Sequence, residues 1–117
     1  MQLFTKENYT IVAETWTTSK AWGHKATLIK TNADGYSITM ATNKIRYYNR
    51  TWESYQYQSV IKGLIYKAIQ EQIDADIDNY KFINNIKRLS NTKKQVIIAK
   101  TYTHPYVKTL KDWYDTL

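Results

Sequence analysis

Polar and apolar positions alternate through the N-terminal part of the chain. Near Trp52 this gives way to apolar residues every three or four positions, so the pattern predicts strands followed by helices. Tyr9 to Thr17 is rich in β-branched and aromatic residues and predicts a strand. After a break at Trp22-Gly23, His24 to Thr31 places Ala26 and Leu28 on one face and Lys25 and Thr27 on the other, as in a strand with one wet side. Asn32-Ala33-Asp34-Gly35 supplies residues that tolerate left-handed backbone, with Gly35 at the turn exit, so the next strand should return as a hairpin. Tyr36 to Met40 alternates, with Tyr36, Ile38 and Met40 expected inward, and Lys44 to Tyr48 extends the sheet or forms a short strand of its own. An antiparallel meander of three or four strands is expected.

Thr51 is expected to cap a helix whose first turn holds Glu53 beside the positive end of the dipole. Tyr57, Val60, Ile61, Leu64, Ile65, Ala68, Ile69 and Ile73 form one broad stripe, so this long helix should pack flat on the sheet. Gly63 costs it roughly 1 kcal/mol relative to alanine, which implies close approach to a neighbour. Beyond Asp78, the spacing of Phe82, Ile83, Ile86 and Leu89 predicts a second, shorter helix ending near Ser90-Asn91. Lys93 to Thr103 suits a helix capped by Thr92, while Val96-Ile97-Ile98 favours a strand; the helix is preferred. Pro105 ends that segment, and Tyr106, Val107, Leu110, Trp113, Tyr114 and Leu117 are spaced as a last helix. The fold class is therefore α+β: an N-terminal antiparallel β-meander packed by a long helix, followed by two or three shorter C-terminal helices. A single domain over 1–117 is expected, with strands mainly in 1–50 and helices mainly in 51–117.

Composition narrows the function classes. The 117 residues include no cysteine and two histidines, so no disulfide or thiolate metal site is available and little imidazole ligation is. A reducing, cytoplasmic setting is expected, with no membrane partner, because cysteine is absent and no stretch has the roughly 20 apolar residues of a span. The net charge is +7, and it is unevenly placed. Residues 53–79 carry two bases against five acids, whereas residues 80–111 carry eight bases and no acid. Clustered cations gain affinity by displacing counterions from phosphates, so an anionic partner is expected, DNA or RNA.

Candidate chemistry is sparse. Asp74, Asp76 and Asp78 alternate like the first ligands of a calcium loop, but Asn79 and Asn85 occupy the places of its glycine and bidentate glutamate. No metal or cofactor is expected, and these acids fit a junction between helices. His24 and His104 lack a recognisable nucleophile partner and no phosphate-binding glycine loop exists, so binding is expected rather than catalysis. The candidate binding residues are Lys44, Arg46, Tyr48 and Arg50, where cations alternate with amphipathic rings, and Lys81, Lys87, Arg88, Lys93 and Lys94 in the basic block. They form one surface only if the fold brings the two stretches together.

The run Tyr47-Tyr48-Asn49-Arg50-Thr51-Trp52-Glu53, with Tyr57-Gln58-Ser59-Val60-Ile61, resembles a stretch in small phage and plasmid proteins of AT-rich Gram-positive bacteria. The resemblance implies an accessory protein of a mobile element, a class in which inhibition of host defence, including anti-CRISPR activity, recurs. It also implies the cytoplasm of a bacterial host cell as the setting and a nuclease–RNA complex as a partner, and it assigns no site residue.

Overall fold

The computed structural model describes residues 2–47 and 56–117. The expected Thr51 cap and Glu53, together with Tyr48 and Arg50, lie outside the described residues. Four strands, β1 (Gln2–Lys6), β2 (Tyr9–Thr17), β3 (Trp22–Thr31) and β4 (Ser37–Tyr47), form one antiparallel sheet in sequence order. Three helices follow, α1 (Gln56–Ile83), α2 (Asn91–Thr101) and α3 (Pro105–Asp115). The layout is α+β, with the long helix on the sheet, as the pattern predicts.

Alternation decides which residues meet α1. Ile11, Leu28 and Ala41 form one cross-strand row on the helix side, and Ala13, Ala26 and Asn43 form the next. The second row is built of small residues and is where α1 comes closest. A Cβ on Gly63 would lie 2.5 Å from Asn43 Nδ2, and that amide donates to the Val60 carbonyl at 3.0 Å. The close approach expected from Gly63 is therefore present, and its neighbour is Asn43. Val60, Ile61, Leu64, Ile65, Ala68, Ile69 and Ile73 are all buried against this floor. Burying each larger aliphatic chain contributes about 1.5–3 kcal/mol.

Several predicted boundaries move. β1 was not anticipated; it adds Phe4 to the core by pairing with Ile11. The break before β3 is the turn at Thr18–Ala21, where Thr18 Oγ1 accepts from the Ala21 amide at 3.1 Å, and Trp22-Gly23 already belong to the strand. Gly35 has φ 86 and closes the hairpin as expected. Beyond the turn, Leu28 pairs with Ala41 but Ile29 pairs with Thr39, so Met40 is an extra residue and makes a β-bulge. The inward set of β4 is consequently Ala41, Asn43, Ile45 and Tyr47, and Met40, expected inward, is partly buried and also packs against the core. Tyr36 and Ile38, expected inward, are exposed: Tyr36 belongs to the turn, and Ile38 lies beyond the cover of α1.

Asp78 does not end α1. The helix continues through Asp74, Asp76 and Asp78 to Ile83, because nothing in that stretch breaks it, and the reversal comes at Asn84-Asn85, with Asn85 at φ 53. Phe82, Ile83, Ile86 and Leu89 therefore do not form a separate helix. The acids sit within α1, where Asp76 ties it to α2 and to the start of α3. Asp76 accepts from Gln72 at 3.0 Å and from Thr101 Oγ1 at 2.6 Å, with His104 Nε2 3.5 Å away. Residues 91–101 are helical, and the cap is Ser90, whose hydroxyl accepts from the Lys93 amide, rather than Thr92.

Pro105 opens α3, where its missing amide costs nothing, and Val107, Leu110 and Trp113 reach the core. Its first turns are fixed to the β1–β2 turn by Thr109 donating to Glu7 at 3.2 Å and by Tyr106 tilting over Tyr9 with ring centres 5.3 Å apart. Burial, then the Tyr9 and Glu71 charges, push the Tyr106 hydroxyl up to about 12 from an ordinary value of 10.0. The folded state thus holds this proton more tightly than the unfolded chain. The resulting stabilisation is complete below pH 10 and is lost as pH rises toward 12. Urea midpoints measured across that interval should fall less steeply for Tyr106→Phe than for the parent protein.

Candidate functional site

Helix α1 packs on one side of the sheet, and the opposite face carries no described helix. That open face is built from the alternate residues of each strand. One row runs Glu14, Lys25, Lys44 across β2, β3 and β4, and its neighbour runs Trp16, Gly23, Arg46. Lys25, Lys44 and Arg46 are exposed, and no ion pair among the described residues engages them. Lys25 and Lys44 are directly opposite each other. Like charges in that relation cost a sheet roughly 0.2–1 kcal/mol; Glu14, opposite Lys25 on its other side, offsets part of this, and an anion over Lys44 would offset more.

Trp16 organises this face. Its ring lies against Gly23, where a Cβ would come within 2.7 Å of the indole, and only glycine leaves that space. Lys44 Nζ sits 4.3 Å from the ring centre and the Arg46 guanidinium 5.7 Å away, so one ring gathers two cations by cation–π attraction. Trp16 Nε1 is buried and has no hydrogen-bond partner among the described residues. The next row runs Leu3, Val12, Thr27 and Thr42, so it adds two hydroxyls and, at its far edge, an exposed Leu3. Cations and hydroxyls dominate the patch, with Glu14 as its acid.

On the helix side of the same strands, Trp22, His24, Tyr47 and Tyr57 pack together. His24 stands 4.6 Å from Tyr57 and 5.6 Å from Tyr47, ring to ring, and its Nδ1 lies 3.0 Å from Thr15 Oγ1. Burial pushes the Tyr47 hydroxyl above its ordinary value. His24 is 2% exposed, so this cluster belongs to the core.

The predicted binding residues divide into two groups. Lys44 and Arg46 belong to the open face. Lys81 ends α1, Lys87 and Arg88 lie in the α1–α2 connection, and Lys93 and Lys94 open α2. The course of α1 separates the groups. Tyr57 touches Thr15 at 2.9 Å beside the basic row, Lys67 reaches the Thr42 carbonyl at 2.9 Å, and α1 then runs on past the sheet. At about 1.5 Å per residue, Lys81 lies roughly 35 Å further along than Tyr57. The two stretches do not make one surface. Lys25 and Trp16 were missed as site residues, because their place beside Lys44 and Arg46 depends on register.

No family model matches the chain, and neither a curated protein nor a solved structure matches it. No described helix is long and apolar enough to cross a membrane.

Proposed function

We propose that this is a nucleic-acid-binding protein whose open sheet face grips the phosphate backbone. The observation that carries the reading is the Lys25–Lys44 cross-strand pair beside Arg46 and Trp16, on a face that no described helix covers. Three cations within two rows offer several charged donors to phosphate oxygens, and the threonine hydroxyls beside them are further donors. Trp16 sets an aromatic ring among the cations, with Lys44 over it, and rings mixed with cations are the make-up of sequence-tolerant single-strand binders. A single strand is the preferred ligand.

Fluorescence anisotropy with single-stranded DNA, duplex DNA and a structured RNA tests this. Lys25→Glu/Lys44→Glu should weaken binding by about tenfold or more at moderate salt, since charge reversal replaces two counterion-releasing contacts with repulsion. Equal affinity of this variant and the parent for all three ligands would remove the proposal.

A second reading is an accessory protein of a mobile element that inhibits a host-defence nuclease by binding the protein or its RNA. Two basic surfaces at opposite ends of α1 favour it, because such a complex offers both nucleic acid and protein to hold. In a cleavage assay at large excess, the parent protein should slow the nuclease, and Lys25→Glu/Lys44→Glu should not.

A further inference from the structure

The far end of the molecule is chemically unlike the open sheet face. Lys81, Lys87, Arg88, Lys93 and Lys94 surround the α1–α2 junction, Lys100 lies in the last turn of α2, and none has an ion-pair partner among the described residues. Large apolar side chains are exposed among them: Phe82 at 86%, Ile83 at 70% and Val96 at 59%. Leaving such groups in water forgoes their burial energy, and exposed apolar groups rimmed by polar and mainly basic residues mark an interaction surface.

The surface also has a shape. Between the last turns of α1 and α2 lies a groove of about 380 Å³ lined by Asn79, Tyr80, Ile83, Asn84, Ile97 and Lys100, together with His104 and Asp76, whose carboxylate is already engaged by Gln72, Thr101 and that histidine. We infer that this groove docks an acidic amphipathic helix of a partner protein, its apolar side chains on Ile83, Ile97 and Phe82 and its carboxylates toward the surrounding lysines and Arg88. The inference goes beyond nucleic-acid binding and concerns a separate site.

Three features select that occupant. A mainly apolar lining offers nothing to a phosphate, which sets the groove apart from the threonine-rich sheet face. A concave opening admits a helix and excludes a flat membrane. The surrounding cations complement carboxylates, which steer encounter, while the apolar contacts supply most of the affinity.

The probe is a fluorescein-labelled helical peptide with leucines on one face and glutamates on the other, titrated by anisotropy at physiological salt. Saturable binding is expected, weakened about tenfold by Phe82→Ser/Ile83→Ser and similarly by Lys87→Glu/Arg88→Glu, and unchanged by Lys25→Glu/Lys44→Glu. Phe82 and Ile83 are exposed, so their replacement leaves the fold intact, which circular dichroism verifies. No saturation by the peptide would overturn the inference. So would equal binding of a scrambled peptide, displacement of the peptide by a single-stranded oligonucleotide, or binding of anionic vesicles that depends on Phe82.

Discussion

Replacing Gly23 with alanine is expected to destabilise the protein by about 3 kcal/mol, at the severe end of what one added methyl does. The new Cβ would stand 1.9 Å from the Ile45 carbonyl oxygen and 2.7 Å from the Trp16 ring. The indole can turn away, but the carbonyl is backbone in the neighbouring strand, so β3 and β4 must separate where they hold Lys25, Lys44 and Arg46 in line. Gly35→Ala is the informative control. Its φ of 86 is strained for alanine, yet nothing lies within 4 Å, so the cost should stay near about 1–2 kcal/mol, the ordinary left-handed penalty. Urea denaturation of both variants should rank Gly23→Ala well below Gly35→Ala. Nucleic-acid affinity should fall with Gly23→Ala and hold with Gly35→Ala.

Leu64→Ala should cost about 2–5 kcal/mol. Leu64 is wholly buried beneath α1, next to the contact between Gly63 and Asn43, and its loss leaves a cavity that the alanines of the sheet floor are too short to fill. Relaxation of α1 toward the sheet is blocked where Gly63 already meets Asn43, which places the expected value in the upper half of that range. Phe82→Ser, at the far end of the same helix, should change the urea midpoint little, since Phe82 is exposed. A comparable loss at both positions would mean that the C-terminal end of α1 packs against something other than solvent.

Much of the fold is legible in the residues. The stripe from Val60 to Ile73 specifies the helix face, Asn32 to Gly35 specifies the hairpin, and Pro105 specifies where the last helix begins. Errors fall where a local rule meets a tertiary one. Asp78 looks like a helix end because three acids interrupt an apolar stripe, but Asp76 is satisfied by Gln72 and Thr101, so the helix has no reason to stop there.

The candidate site was legible only in part, and Met40 is the reason. Counting back evenly from the Asn32–Tyr36 turn sets Lys25 opposite Asn43 and turns Lys44 toward the helix. The bulge at Met40 shifts the pairing by one residue, sets Lys25 opposite Lys44, and brings Lys44 and Arg46 out beside Trp16. A basic run in sequence thereby becomes a basic row on a surface. The second basic run stays apart because α1 is one unbroken helix that carries it beyond the sheet.

The central claim is that the open face, through Lys25 and Lys44, holds phosphates. Its most direct test is the salt dependence of single-stranded oligonucleotide binding by the parent protein and by Lys25→Ala/Lys44→Ala. Each phosphate contact with a single strand contributes about 0.7 to the slope of log affinity against log salt, so the double variant should show a slope shallower by about 1.4. An unchanged slope with unchanged affinity would contradict the account.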